Sequence, residues 1–207
     1  MPNQLYIIEN LAILIPMAHL DAKRWNRRYQ KYGLTRLTHP PRQLLTDYLP
    51  QLPQHGLALD VAAGVGVNSL LLAQHGLQVI ATDISTVALT LAQQQAQKHN
   101  LPLQLVQLDL AQATFPPHSF DLIINFYYLE RSLFPIYRQA LKPGGWLIME
   151  TFVKPEHATE RPVHYLHPHE LHHAFQSMQI VHSKLLTRLS RNEKEPIEQL
   201  VARKYAE

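Results

Sequence analysis

The sequence predicts an α/β fold: seven strands in a mainly parallel sheet, with helices on both faces. Three observations predict it. From Leu57 onward, short apolar runs alternate with segments of helical period, the pattern of a parallel sheet wrapped by helices. The first apolar run ends in Gly64-Val65-Gly66 and a helix starts at once. The last two apolar runs are separated by the polar Arg191-Asn192-Glu193-Lys194, which reads as a hairpin and sets the final strand antiparallel to its partner.

The elements follow in order. Residues 22–32 read as a helix, with Trp25, Tyr29 and Tyr32 at helical spacing among Lys23, Arg24, Arg27, Arg28 and Lys31. Pro40-Pro41 opens a second helix over 42–49, which Pro50 and Pro53 end. Strands are expected at 57–63, 77–82, 103–108, 119–126 and 145–151. Helices are expected at 68–75, 85–99 (capped by Ser85) and 131–141. After Pro155 come a short helix at 168–175 and strands at 178–189 and 197–203. At 207 residues, with 46% apolar and 17% charged residues, the chain suits one globular domain with a substantial core. Residues 17–207 form that domain, with 17–54 as a helical lid and 55–207 as the core.

Residues 1–16 read as an N-terminal extension. Their apolar run is interrupted by Glu9 and Asn10, is too short to span a bilayer and has no Lys or Arg before it. A chain starting at Met17 is expected to match the full one. No membrane role is expected. There is no cysteine, which excludes a disulfide scaffold, a thiolate metal site and a cysteine nucleophile, and fits a cytoplasmic protein. The formal charge is only +3, and no run of like charges points to a nucleic-acid partner.

The glycine turn carries the chemistry. Two glycines permit a tight turn and close approach of a ligand to backbone, and the N–H groups of the following helix start face that ligand. Asp83 ends the next strand, 19 positions after Gly64, the usual distance for gripping a ribose diol. A dinucleotide fingerprint needs a third glycine, and that position is Ser69, so NAD is not the expected ligand.

Joined to Asp60, Asp109, Ser119-Phe120-Asp121 and Leu141-Lys142-Pro143-Gly144-Gly145-Trp146, this turn resembles the class I S-adenosylmethionine-dependent methyltransferases over roughly residues 20–205. The resemblance implies a Rossmann-like sheet of order 3-2-1-4-5-7-6 and S-adenosyl-L-methionine as cofactor. It implies that Asp83 binds the ribose, Ile84 packs on the adenine, and Asp109 with the Leu110 N–H reads the adenine edge. Gly64 and Gly66 would line the methionine moiety and Asp60 would orient its ammonium. Asn125 would meet the amino-acid end and the incoming nucleophile. For Asp109, a helix-cap role competes.

Trp25-Asn26-Arg27-Arg28-Tyr29, Asn68-Ser69-Leu70, the 128–134 run and the 165–171 run resemble the small tellurite-resistance and thiopurine-like branch. That branch methylates small, often soft nucleophiles. Candidate catalytic residues are then Asn125, Tyr128 and Arg131. Candidate acceptor contacts are Trp25, Arg28, Tyr29, Tyr127 and Tyr165, each tyrosine competing with plain packing. Where relatives often carry Arg after the second glycine, this chain has Val67-Asn68-Ser69, so a cation is missing. The histidines at 164, 167, 169, 172 and 173 read as a solvated surface rather than a metal site. An RNA or protein methyltransferase and a non-catalytic S-adenosylmethionine-binding regulator remain the alternatives. The four residues Asn125-Phe126-Tyr127-Tyr128 lack the two prolines of base-amino methylating enzymes.

Overall fold

A computed structural model of the chain describes residues 19–155, 164–190 and 193–206. The expected N-terminal extension, 1–16, lies outside the described residues. The strands β1 (Leu57–Val61), β2 (Gln78–Asp83), β3 (Leu103–Gln107), β4 (Phe120–Phe126), β5 (Leu141–Phe152), β6 (Gln179–Ser190) and β7 (Glu193–Arg203) form one sheet of order β3-β2-β1-β4-β5-β7-β6. The first five are mutually parallel, and β7 runs antiparallel to both β5 and β6. This is the expected topology.

Alternation along the central strands feeds two apolar layers, because successive side chains leave a strand on opposite faces. Leu59 and Val61 of β1, Ile123 of β4, and Leu147 and Met149 of β5 pack on one face with Leu133 and Tyr137 of a helix over Leu133–Ala140. Ala58, Leu122, Ile124 and Ile148 pack on the other face with Leu44, Leu45 and Leu72. Burial on both faces explains why the strands read as near-continuous apolar runs. We number the helices α1 (His19–Leu37), α2 (Gln43–Tyr48), α3 (Val67–His75), α4 (Thr86–Lys98), α5 (Leu133–Ala140) and α6 (Glu170–Ala174).

Three boundaries differ from expectation. Helix α1 runs through Gly33 to Leu37, well beyond residue 32. Gly33 does not stop it but lets it approach α4: a Cβ there would stand 2.4 Å from Leu91 Cδ1. The expected four-residue polar turn is shorter, since Ser190 already pairs with Glu193. Strand β5 begins at Leu141 and takes in the expected turn at 143–145, which shows as a left-handed backbone at Gly144 (φ 75°) and a register shift against β4. Asp121 secures that end of the sheet by accepting from the Leu57 N–H at 2.8 Å and from Lys142 Nζ at 2.7 Å. Among the described residues no helix is long and apolar enough to cross a membrane.

Candidate active site

Strand order reverses between β1 and β4, and ligands of open parallel sheets settle at the carboxyl ends of the strands beside such a reversal. Among the described residues, two of the five non-glycine residues with positive φ stand at the same place. Ala62, one residue past β1, has φ 56°, and Tyr127, one residue past β4, has φ 61°. A left-handed conformation costs a non-glycine residue about 1–2 kcal/mol, and such strain persists where the surroundings over-determine it, commonly at functional sites. Gly64 (φ 59°) and Gly66 (φ 76°) share that conformation without the penalty.

The acids around this turn are buried and bound. Asp60, 2% exposed, accepts from Ser69 Oγ at 2.6 Å. The serine that replaces a third glycine therefore clamps the first acid. Burial, opposed by the Ser69 bonds, pushes the Asp60 carboxyl up to about 7. Asp83 accepts from the Gly64 N–H and the Ser85 N–H, each at 2.8 Å. Burial raises its pKa, against those two bonds. Each carboxylate oxygen keeps a further lone pair, so a diol can still be accepted. Ile84 beside it is half-buried.

Asp109 accepts from the Ala111 N–H at 3.1 Å and caps a 3-10 turn over Leu110–Gln112, with Leu110 buried. The competing cap role is thus present, at the strand end where the adenine role places it. Asn125 is 1% exposed; its Nδ2 donates to the Tyr137 hydroxyl at 3.0 Å, while its Oδ1 is buried with no partner among the described residues. A buried orphan acceptor at a strand end is a place for a donor.

Helix α1 lies against this turn. Asn26 Oδ1 accepts from Ser85 Oγ at 2.7 Å and from the Val87 N–H at 3.3 Å, docking α1 on the start of α4. Tyr29 is buried, and a Cβ on Gly64 would come within 2.6 Å of its hydroxyl. Trp25 packs on Tyr29 at 5.9 Å between ring centres, and the exposed Arg28 lies over Trp25. Tyr29, but not Arg28, is therefore brought to the glycine turn. Gly64→Ala is expected to cost about 1–2 kcal/mol for its left-handed backbone and to displace Tyr29. Thermal melts read the first effect, and faster amide exchange in α1 reads the second.

The remaining candidates separate. Tyr128 is half-buried, its pKa raised by burial and then by Glu130 and Asp109, which places it toward the adenine-side acid. Tyr127 donates to Glu150 of β5, and its ring lies tilted against Phe152 at 4.7 Å; the Tyr165 ring is 6.1 Å from that of Phe152. Arg131 is engaged by Glu170: Nε and Nη2 reach the carboxylate at 2.5 and 2.9 Å, and Nη2 also donates to the Tyr165 carbonyl at 3.0 Å. That fork positions the 165–170 segment, so the geometry gives Arg131 a positioning role. Of the five histidines, all are exposed, and among the described residues no three metal-ligating side chains converge. Residue-by-residue reading missed Asn26, Tyr137, Glu150 and Phe152. The alternation along β5 was the available signal for Glu150, a lone acid in a buried strand.

A family model for a methyltransferase domain matches residues 58–145. Among solved structures, the chain is similar to the [4+2]-cyclase SpnF, at 16% identity over 90% of this chain and 97% of that one, with a TM-score of 0.72. It is similar to TehB from Haemophilus influenzae at 17% identity over 87% of this chain and 67% of that one, TM-score 0.70. A SAM-dependent methyltransferase from Methanosarcina mazei matches at 18% identity over 82% of this chain and all of that one, TM-score 0.62. No curated protein matches the chain. At such identities the structural likeness speaks for the fold, and a fold alone does not dictate a reaction; the methyltransferase domain supplies the activity. Residues 58–145 thus form a methyltransferase domain on a Rossmann-like fold, with S-adenosyl-L-methionine as its cofactor.

Proposed function

We propose that this methyltransferase transfers the methyl group by direct displacement to a small-molecule nucleophile, a thiol or a chalcogen oxyanion, within the tellurite-resistance-like branch. The observation that carries the reading is the row of rings Tyr127, Phe152 and Tyr165, which starts just past the carboxyl end of β4. Such a wall suits a small planar or apolar body. The likeness to TehB supports the branch. The cysteine-free chain supports a cytoplasmic setting.

The cofactor supplies a methyl already activated by sulfonium. The protein's tasks are therefore alignment and exclusion of water. Asp83 holds the ribose, Asp109 with the Leu110 N–H and Ile84 hold the adenine, and Gly64, Gly66 and Asp60 hold the amino-acid end. Asn125 Oδ1 accepts from the cofactor ammonium or from the acceptor. Helix α1 serves as the lid, with Tyr29 over the glycine turn. A soft anionic acceptor needs no general base, consistent with tyrosines at 127 and 128 whose pKa values are raised.

The test is a methyl-transfer screen with labelled cofactor over thiols, selenite, tellurite, phenols and RNA. Transfer to thiols or chalcogen oxyanions is expected. Transfer to RNA alone would replace the reading with the nucleic-acid alternative. Tight cofactor binding with no transfer to any acceptor would point to the regulatory one. For the lid, Tyr29→Phe is expected to lower the transfer rate several-fold while cofactor affinity holds. Loss of folding with normal specific activity in the surviving fraction would make Tyr29 an anchor only.

A further inference from the structure

Two arginines converge on Tyr127 from distant parts of the chain. Arg42, the residue before α2, has its guanidinium 4.5 Å from the ring centre of Tyr127; Arg188 of β6 has its own at 5.2 Å. Both are half-buried. Among the described residues neither forms an ion pair with a carboxylate. Glu150, the acid bound to Tyr127, is 6% exposed and already engaged: one oxygen accepts from the Tyr127 hydroxyl and the other from Gln199 Nε2 at 2.6 Å. Glu195 stands opposite Arg188 in the β6–β7 register and the charge of Arg36 also acts on Arg42, so three guanidiniums against two carboxylates leave this cluster with positive charge in excess.

Water does not cover that excess fully. Burial, joined by the charges of Arg188 and Arg36, lowers the pKa of Arg42, with Tyr127 and Glu150 opposing. A cation partly removed from water without a counter-ion is costly, and an oxyanion held by two guanidinium forks removes the cost. The cluster is also anchored to the cofactor turn. The Arg42 N–H donates to Asn68 Oδ1 at 3.0 Å, and Asn68 lies in the first turn of α3 after Gly66. Phe152, 4.7 Å from the Tyr127 ring, adds an apolar wall on the same site.

We propose that Arg42 and Arg188 form an oxyanion subsite that selects acceptors bearing a carboxylate or comparable oxyanion, with the apolar body of the acceptor against Phe152. The inference rests on the small-acceptor reading above and names its substrate class. Glu150 and Gln199 are positioning residues: they hold Tyr127, on which both guanidiniums stack.

The test titrates 4-mercaptobenzoate and its neutral amide, 4-mercaptobenzamide, into the full chain saturated with S-adenosylhomocysteine. Calorimetry follows binding, and labelled cofactor follows transfer separately. The acid is expected to bind at least about tenfold tighter than the amide, the scale of a charge-assisted hydrogen-bonded pair. Arg42→Gln and Arg188→Gln should each remove most of that preference while S-adenosylhomocysteine affinity and melting temperature hold. Arg188→Gln serves as the independent variant if Arg42→Gln disturbs the start of α2. Equal binding of acid and amide, or a preference that survives both substitutions, overturns the subsite. Displacement of the acid by equimolar tellurite assigns the oxyanion alone as the ligand; its failure to displace assigns a carboxylate on an apolar body. Binding of the acid that depends on both arginines, with no transfer to its sulfur, keeps the subsite and overturns the thiol reading. Equal transfer to acid and amide with equal binding does the reverse.

Discussion

Asp83→Ala is expected to weaken S-adenosylhomocysteine binding by about 1.5–3 kcal/mol, the scale of lost hydrogen bonds to a charged group, and to lower the melting temperature as well. The second effect departs from what a strand-end acid suggests. Asp83 is only 6% exposed, and its two oxygens satisfy the N–H groups of Gly64 and Ser85. Alanine leaves both donors without that acceptor, at about 1–3 kcal/mol for a buried unpaired group. In a domain of this size each kcal/mol is worth about 2–4 °C. Asp83→Asn retains one acceptor oxygen and should fall between wild type and alanine in both readouts. Calorimetric titration and thermal melts on the same preparations separate the two effects. A folded Asp83→Ala protein with unchanged affinity would remove Asp83 from the cofactor site.

Cofactor affinity is expected to rise with pH between about 6 and 8, through Asp60. Burial lifts this carboxyl from its ordinary 3.8 to about 7. In the unliganded protein it holds a proton below that value. A ligand ammonium beside it favours the ionised form, so binding releases the proton, and affinity gains up to about tenfold per pH unit until the carboxyl ionises by itself. Titration in buffers of different ionisation enthalpy should show that released proton. Asp60→Asn should bind more weakly at pH 8 and lose the pH dependence. The stability of the unliganded protein carries the opposite sign. Between pH 3.8 and about 7 the folded state holds a proton that the unfolded state has lost. Stability from this group therefore falls as pH rises through that window. A flat affinity profile in the wild type would exclude Asp60 from the ammonium's surroundings.

Local patterns carried far. Alternating apolar runs located every strand, because both faces of the sheet are buried and each strand must be apolar nearly throughout. The pair Gly64 and Gly66 with Asp83 was legible because a turn and the end of the next strand are neighbours in any such unit. Ser85 as a cap was legible for the same reason: its oxygen accepts from the Ala88 N–H at 3.2 Å, three residues on. Ser69 was read only as a missing glycine, since its bond to Asp60 joins a helix side chain to a strand whose burial sequence alone does not reveal. The reach of α1 was underestimated because Gly33 stops a lone helix; here it is buried against Leu91, and packing overrides propensity.

By itself, then, the sequence determined the α/β class, the strand order carried by its resemblance, and the place of the glycine turn and of Asp83 at the end of the next strand. These depend on contacts close along the chain or on motifs that recur intact. Only the tertiary structure decided which side chains face one another across it. Asn26 meets Ser85, Tyr137 meets Asn125, Arg131 is taken up by Glu170, and Arg42 and Arg188 share the ring of Tyr127. Sheet order brings β6 beside α2 although they lie at opposite ends of the chain. Charge and burial at such a meeting point belong to the fold, because no single segment contains both partners.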